Sequence, residues 1–105
     1  MAVSRVWRGW AARARASEYE SLVAGEVLPA MEGLAGFRGA TLLRREAGGD
    51  EVEFLVVTEW DSVEAIRGFA GAEPERATIP PRAAALLRRY DERAAHYERV
   101  WGAGG

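Results

Sequence analysis

Two stretches of strand-forming residues lie on either side of a four-residue turn, and this arrangement constrains the fold more than any other feature of the sequence. The stretches cover residues 37–46 and 51–60 and flank Ala47-Gly48-Gly49-Asp50. Because glycine takes the positive φ angles that a tight reversal needs, the pattern predicts an antiparallel β-hairpin. The second strand contains the run Phe54-Leu55-Val56-Val57, which is apolar on both faces, so we expect both faces of this strand to be covered.

An amphipathic helix is predicted between Ser17 and Leu34, and a strand at residues 3–10 precedes it. Apolar residues recur at three- and four-residue steps through the helical segment, as expected for one buried stripe. Ser17 and Glu20 fit a capping box at its start. Pro29 lacks an amide hydrogen, so we expect the helix to kink or restart there.

The second half of the chain predicts a short helix, a further helix and a final strand. Asp61-Ser62-Val63-Glu64 resembles a second capping box, and the helix that it starts is expected to end near Gly71. Two prolines lead into a helix predicted at residues 82–90, because proline suits the first helical turn. Residues 94–101 mix aromatic, β-branched and charged side chains and are predicted to form the last strand.

The element order predicts one α+β domain over residues 1–105, a ferredoxin-like split βαβ sandwich. Four antiparallel strands then form one sheet with both main helices on one face. The other face would expose tryptophan, phenylalanine, leucine and valine side chains as a patch larger than soluble monomers usually show. We therefore expect a homodimer in which two sheets pack face to face, with a pocket between each sheet and its helices.

Composition excludes several classes of function. The net charge of −2 argues against binding to nucleic acid or to an acidic membrane surface. The chain has no cysteine and no lysine, which excludes thiolate metal sites, thiol nucleophiles and Schiff-base chemistry. With His96 as the only histidine, we expect no metal site and no metal cofactor. The N-terminal segment is too short and too charged for a signal peptide or a membrane span, so a cytoplasmic protein is expected.

The chain resembles the antibiotic biosynthesis monooxygenase (ABM) family of the dimeric α+β barrel superfamily. The resemblance runs from residues 5–9 through 53–65 to 96–98, and its most telling passage is Trp60-Asp61-Ser62-Val63-Glu64-Ala65, where a strand passes into a helix. It implies a cofactor-independent oxygenase in which an electron-rich aromatic or quinol-like substrate is deprotonated and its carbanion reduces O₂ directly. Such an enzyme needs a dry apolar pocket, a proton acceptor and donors for the developing oxyanion.

A heme-degrading branch of the same superfamily fits the sequence poorly. That branch relies on an asparagine in the first strand, a tryptophan in the second helix and a histidine soon after it. This chain contains no asparagine, Phe69 stands where the tryptophan would fall, and Ile79-Pro80 occupies the neighbourhood of the histidine. No heme or other cofactor is therefore expected.

Three residues are the candidate catalytic residues. His96 has the only side chain with an ordinary pKa near neutrality, which suits a general base. Trp60, at a strand–helix junction, would line a pocket for a flat aromatic substrate, and Arg8 would stabilise a phenolate or peroxide anion if it points inward. Each also has an ordinary structural explanation: an interface histidine, a core tryptophan, and an arginine paired with a carboxylate.

A non-enzymatic dimeric α+β barrel is the alternative function left open by the sequence. Such a protein would bind a small apolar ligand or serve in a stress response. A pocket of several hundred Å³ with His96 or an arginine facing into it would favour the enzyme, whereas a pocket filled by the chain's own tryptophans would favour the alternative. The substrate itself is not specified by the sequence.

Overall fold

The structure of the protein, a computed structural model, describes residues 1–104 and has one antiparallel sheet with helices on one side. In chain order the elements are β1 (Val3–Ala12), α1 (Arg13–Leu22), a π-helical turn (Val23–Val27), a 3₁₀ turn (Pro29–Met31), β2 (Phe37–Glu46), β3 (Glu51–Trp60), α2 (Val63–Ala70), α3 (Pro81–Ala84), β4 (Arg89–Tyr90) and β5 (Ala95–Glu98).

The sheet has the order β2-β3-β1-β4, and β5 also pairs with β1. β4 pairs with Gly9–Trp10 and β5 with Val3–Val6, so the two short strands share one side of β1. Together they take the place of a single edge strand. The α+β class, the antiparallel sheet and the placement of the helices on one face are therefore confirmed.

The predicted hairpin is confirmed with its boundaries. β2 and β3 pair antiparallel, and the turn between them uses positive φ angles at Gly48 and Gly49. Along β3, Val52, Phe54 and Trp60 pack against the helical side as parts of two buried clusters. Because side chains alternate along a strand, Leu55 and Val57 lie on the other side.

The first helix differs from the prediction at both ends. It begins at Arg13, directly after β1, with Ala12 at its N-cap and no side-chain cap. Ser17 therefore lies inside the helix, and the predicted capping box is wrong. The α-helix also ends at Leu22 instead of continuing to Leu34, because the chain widens into a π-helical turn and then tightens into the 3₁₀ turn that Pro29 starts.

The last third of the chain contains less regular structure than predicted. The expected helix at residues 82–90 is wrong beyond Ala84, because Arg89 and Tyr90 pair with β1 as a strand. The last strand covers only Ala95–Glu98, and Trp101 is exposed beyond it. By contrast, α2 starts as predicted, with the Ser62 hydroxyl accepting a hydrogen bond from the Ala65 amide.

The sheet side away from the helices, called the free face below, carries an apolar centre. Its members are identified by strand alternation, and they are Val6, Trp10, Leu43, Leu55, Val57 and Tyr97. No second layer covers this face within residues 1–104. Within one chain β3 is covered on the helical side, and the cover of its other face by a second copy stays a prediction. The exposed patch does not include Phe54 and Trp60, which point toward the helices.

In the described part of the chain, no helix is both long and apolar enough to cross a membrane.

Candidate active site

A cavity of about 520 Å³ lies between the helical side of the sheet and the helices. β1 and β3 form its floor, α1 with the following π-helical turn forms one wall, and the segment of residues 78–83 forms another. Most of the lining side chains are apolar, and the bulkiest of them are Trp7, Leu28, Met31, Phe69 and Ile79. The cavity can therefore exclude water from a flat apolar ligand.

Arg5 places a positive charge in this cavity. The residue lies in β1, next to Thr58 of β3, and is 6% exposed. Its Nη2 donates hydrogen bonds to the backbone carbonyls of Arg76, at 2.8 Å, and Pro74, at 3.5 Å. Its guanidinium carbon lies 5.6 Å from the centre of the Phe69 ring. Burial lowers the pKa of Arg5 from its ordinary value, because desolvation disfavours the charged form.

Tyr19 is one of the lining residues, and its phenol stays neutral. It is almost fully buried against Phe54, with ring centroids 4.7 Å apart. Burial raises the pKa of Tyr19 to about 12. Its phenol is thus a hydrogen-bond donor at every physiological pH.

An ion pair lies at the edge of the cavity. Arg82 of α3 and Glu26 of the π-helical turn both contact the cavity and approach each other to 2.8 Å, and both side chains are well exposed. Their charges cancel. The pair connects the two walls at the solvent-facing side of the cavity.

His96 lies beside Arg5 in the sheet and is not one of the residues that line the cavity. The two residues are direct partners across β1 and β5, so their side chains share the helical side of the sheet. The His96 Nε2 is buried and has no hydrogen-bond partner in residues 1–104. The pKa of His96 is lowered, first by desolvation and then by the positive charge of Arg5, although Glu75 and the Pro74 backbone act in the opposite direction.

Trp60 is a buried residue next to the cavity and does not contact it. It packs edge-on against Phe37 and beside Phe69, and its indole Nε1 donates a 2.8 Å hydrogen bond to the Thr58 hydroxyl. Phe69 and Thr58 themselves line the cavity. The contacts of Trp60 thus hold two lining residues in place, and its direct role toward a substrate stays a prediction.

Arg8 lies on the free face, on the opposite side of β1 from Arg5. Its side chain is 48% exposed and forms a 3.0 Å ion pair with Asp91, which raises its pKa. It also lies over the Trp10 ring, at 5.2 Å from the ring centre. The structure therefore does not bring Arg8 together with His96 and Trp60 around the cavity, and its catalytic role stays an untested prediction.

A second concave surface, a shallow groove, lies between residues 24–32 and β2. Its volume is about 620 Å³, and it is open to solvent.

Metal-binding groups are a separate matter. Residues 1–104 contain no group of three or more histidine, aspartate or glutamate residues placed to bind a metal ion.

The sequence analysis did not identify Arg5 as a candidate site residue. The signal was present in the spacing: Arg5 alternates with Val3 and Trp7, so it shares their buried face, whereas Arg8 lies on the other face. A charged residue in phase with two apolar neighbours in a strand indicates a buried charge, and buried charges are concentrated at functional sites.

Comparisons with known proteins agree with this architecture. The family model described as "Antibiotic biosynthesis monooxygenase" matches residues 5–81. A heme-degrading protein from Mycobacterium tuberculosis, solved without heme, is 25% identical with a TM-score of 0.69, and the match covers 100% of this chain and 98% of that one. No curated protein sequence matches the chain.

Two oxygenases from Streptomyces have similar structures. The ActVA-Orf6 monooxygenase of Streptomyces coelicolor, solved with nanaomycin D, is 22% identical with a TM-score of 0.66, covering 99% of this chain and 91% of that one. SnoaB of Streptomyces nogalater, described as a cofactor-independent oxygenase, is 21% identical with a TM-score of 0.58, covering 96% and 95%. Because the family model spans most of the sequence, the chain belongs to the antibiotic biosynthesis monooxygenase family.

Proposed function

We propose that the protein is a cofactor-independent monooxygenase that oxidises a flat aromatic or quinol-like molecule in the cavity above β1 and β3. The observation that carries this proposal is the cavity itself: it is apolar, holds a buried cation and has a volume of about 520 Å³. Family membership supports the reaction type. The two similar Streptomyces oxygenases support it as well.

The proposed reaction removes a proton from an activated carbon of the substrate, and the resulting carbanion reduces O₂. For an anthrone, the CH₂ group and O₂ become a carbonyl group and water, so the substrate supplies all the electrons and no external reductant enters the balance. The protein contributes desolvation by the apolar lining, a hydrogen bond from Tyr19, and a proton acceptor.

His96 is the proposed proton acceptor. Its lowered pKa keeps the imidazole neutral at neutral pH, and its buried Nε2 is not engaged by another residue in the described part of the chain. A general base must reach the substrate proton directly or through one water. His96 is not itself a lining residue, so the proposed proton transfer runs through one water beside Arg5, its cross-strand partner in the lining.

Heme degradation is not supported by the donor groups of the cavity. Within the described residues, no histidine contacts the cavity, and the Tyr19 hydroxyl is held neutral by burial, so an imidazole or phenolate ligand for heme iron is missing. The Mycobacterium tuberculosis protein is described as heme-degrading, but what it shares with this chain is the fold.

The experiment is oxidation of dithranol, an anthrone, by purified protein in the presence of a chelator and without flavin or heme. Oxygen uptake and quinone absorbance are recorded, and the rate without protein is subtracted. We expect a protein-dependent rate that Ala30→Trp, at the cavity edge, abolishes and that Ala14→Trp, exposed on α1 away from the cavity, leaves unchanged. Equal rates for the two variants, or no rate above the protein-free one, would contradict the proposal.

A ligand-binding protein without activity is the second candidate. The observation that favours it is that the interior lining, among residues 1–104, contains no histidine and no carboxylate apart from the ion-paired Glu26 at the edge. Tight binding of an anthraquinone without any oxygen uptake from dithranol would support this second function.

We also propose that the protein is a homodimer formed through the free face. The apolar centre of that face has no cover in residues 1–104, while charged side chains such as Arg45 and Glu53 pair around it. An apolar centre with a polar rim is the usual composition of a protein interface.

A further inference from the structure

Arg5 is a buried cation that no side chain neutralises. Among residues 1–104, no carboxylate oxygen lies within 4.0 Å of its guanidinium group, although eleven other arginines of the chain form such ion pairs. Its partners are two backbone carbonyls and the face of Phe69. Burying an ion without a counter-charge is costly, so the site is incomplete in the ligand-free protein.

The arginine also has an unused hydrogen-bond donor. The Nε atom is buried and has no partner within the described residues. A buried donor that is left unpaired is costly in the folded protein. The Nη1 atom also forms no hydrogen bond within the described residues and, unlike Nε, is not fully buried. Because the Arg5 side chain lines the cavity, Nη1 is the donor that a ligand in the cavity can reach.

The other titratable groups that face the cavity leave its net charge positive. Glu26 and Arg82 neutralise each other at the edge, and Tyr19 is neutral. Burial, and after it the charge of Arg5, lowers the pKa of His96 and disfavours a second positive charge there. Arg5 therefore provides the net charge that a bound ligand meets.

From this geometry we infer that Arg5 binds the oxyanion of a planar aromatic ligand, so that the cavity selects substrates that carry a carboxylate or that lose a hydroxyl proton when bound. This inference rests on the proposed function, because it assigns the class of substrate to the same cavity. A charge-assisted hydrogen bond from guanidinium to an oxyanion is among the strongest that a protein forms. The apolar lining accepts the aromatic body of the ligand, and Arg5 fixes its orientation.

The test compares three ligands that share one ring system: neutral anthraquinone, anthraquinone-2-carboxylate and 2-hydroxyanthraquinone, which changes colour when it loses its proton. We expect the wild-type protein to bind the carboxylate at least tenfold more tightly than the neutral compound. We also expect the pKa of the bound hydroxyl to be lower than in water by about 1 to 3 units, the usual effect of a close opposite charge. The two anionic ligands distinguish a permanent carboxylate from an oxyanion formed in the cavity.

Arg5→Met is expected to abolish both effects while neutral anthraquinone still binds. Arg15→Met, which removes an exposed arginine paired with Glu18 on α1, is the matched control for the loss of one positive charge and should behave as the wild type. Arg5→Lys keeps the charge and should preserve the direction of the pKa change if the methionine variant does not fold.

The outcomes separate this inference from the proposed function. If neutral anthraquinone binds, anthraquinone-2-carboxylate binds no more tightly, and the pKa of bound 2-hydroxyanthraquinone in the wild-type protein equals its value in water, the inference is overturned and the aromatic cavity stands. If the hydroxyl pKa shift persists in Arg5→Met, another group causes it and the inference is equally overturned. If none of the three ligands binds the wild-type protein, both are overturned.

Discussion

Arg5 is held in the folded protein at a cost that its own contacts do not offset. The two backbone carbonyls that it binds belong to Pro74, which is half-buried, and Arg76, which is exposed. Replacing a buried charge by an apolar side chain of similar volume is often neutral or stabilising. Arg5→Met is therefore expected to raise the free energy of unfolding of the ligand-free protein by about 1 kcal/mol, measured by urea denaturation. A decrease of that size would show that Arg5 is needed for stability.

His96 is expected to affect turnover if it is the proton acceptor. His96→Gln should lower the rate of dithranol oxidation by ~10²–10⁴-fold, the usual contribution of a general base. Glu98→Gln, two residues along β5 and exposed, is the matched control and should retain the rate. An unchanged rate per folded protein in His96→Gln would remove the histidine from the reaction.

The lowered pKa of His96 also predicts a pH dependence of stability. In the unfolded chain the imidazole has its ordinary pKa of 6.5, and the folded value is lower, so the unfolded state binds the proton more readily. The stability contributed by neutral His96 is complete above the unfolded pKa and is lost as the pH falls through the folded pKa. Between about pH 7 and pH 5, wild-type protein should therefore lose more stability than His96→Gln in urea denaturation. Parallel curves for the two proteins would contradict the pKa change.

At the scale of the elements, two similar capping patterns differ in the structure: the pattern at Ser62 starts a helix, and the pattern at Ser17 does not. Ser62 caps α2 because the chain arrives there extended from β3, with φ of −165° and ψ of 167°. Ser17 does not cap α1 because β1 passes directly into the helix through Ala12, and the preceding alternation of arginine and alanine consists of good helix formers. A capping pattern therefore marks the start of a helix only where the residues before it are not themselves helical.

Tertiary pairing explains the other differences from the sequence. Residues 85–90 have helical propensity, but Arg89 and Tyr90 gain strand pairing with β1, and Tyr90 packs on Trp7. Local patterns therefore predicted the hairpin and the fold class, whereas the ends of the last elements depended on contacts distant in the sequence. For the site, the apolar pocket was predicted from the element order. The charged residue of that pocket could not be identified without the strand register, which assigns Arg5 and Arg8 to opposite faces of the sheet.

The junction before β2 depends on one glycine. Gly36 has a φ of 78°, and an added Cβ atom would overlap the Cβ of Ala65 in α2. Gly36→Ala is expected to lower the free energy of unfolding by roughly 2 kcal/mol or more, since backbone strain and overpacking add. Gly25→Ala, where a Cβ meets open space in a helical turn, should instead be neutral or slightly stabilising. Equal stability of the two variants in urea denaturation would show that neither strain nor overlap limits the junction.

At the scale of the whole molecule, the cavity and the proposed dimer interface use opposite faces of one sheet. The helical side of the sheet forms the cavity, and the free face is the surface at which we propose that a second copy binds. In a two-fold symmetric dimer the same patch would occur on both subunits, so one substitution on the free face changes the interface twice. The sheet that holds Arg5 and His96 would then be supported from both sides.

Leu43 offers the test of this assembly. It lies opposite Leu55 on the free face and is 48% exposed, so Leu43→Glu changes that surface with little effect on the core of the chain. We expect light scattering to give the wild-type protein twice the chain mass of 11.5 kDa and Leu43→Glu a mass near that of one chain, because two like charges would be buried together. Leu34→Glu places the same charge on a leucine of the helical side that is 37% exposed, and it should remain dimeric. A wild-type mass of one chain at micromolar concentration, or a Leu43→Glu dimer as stable as the wild type, would show that the free face is not the interface.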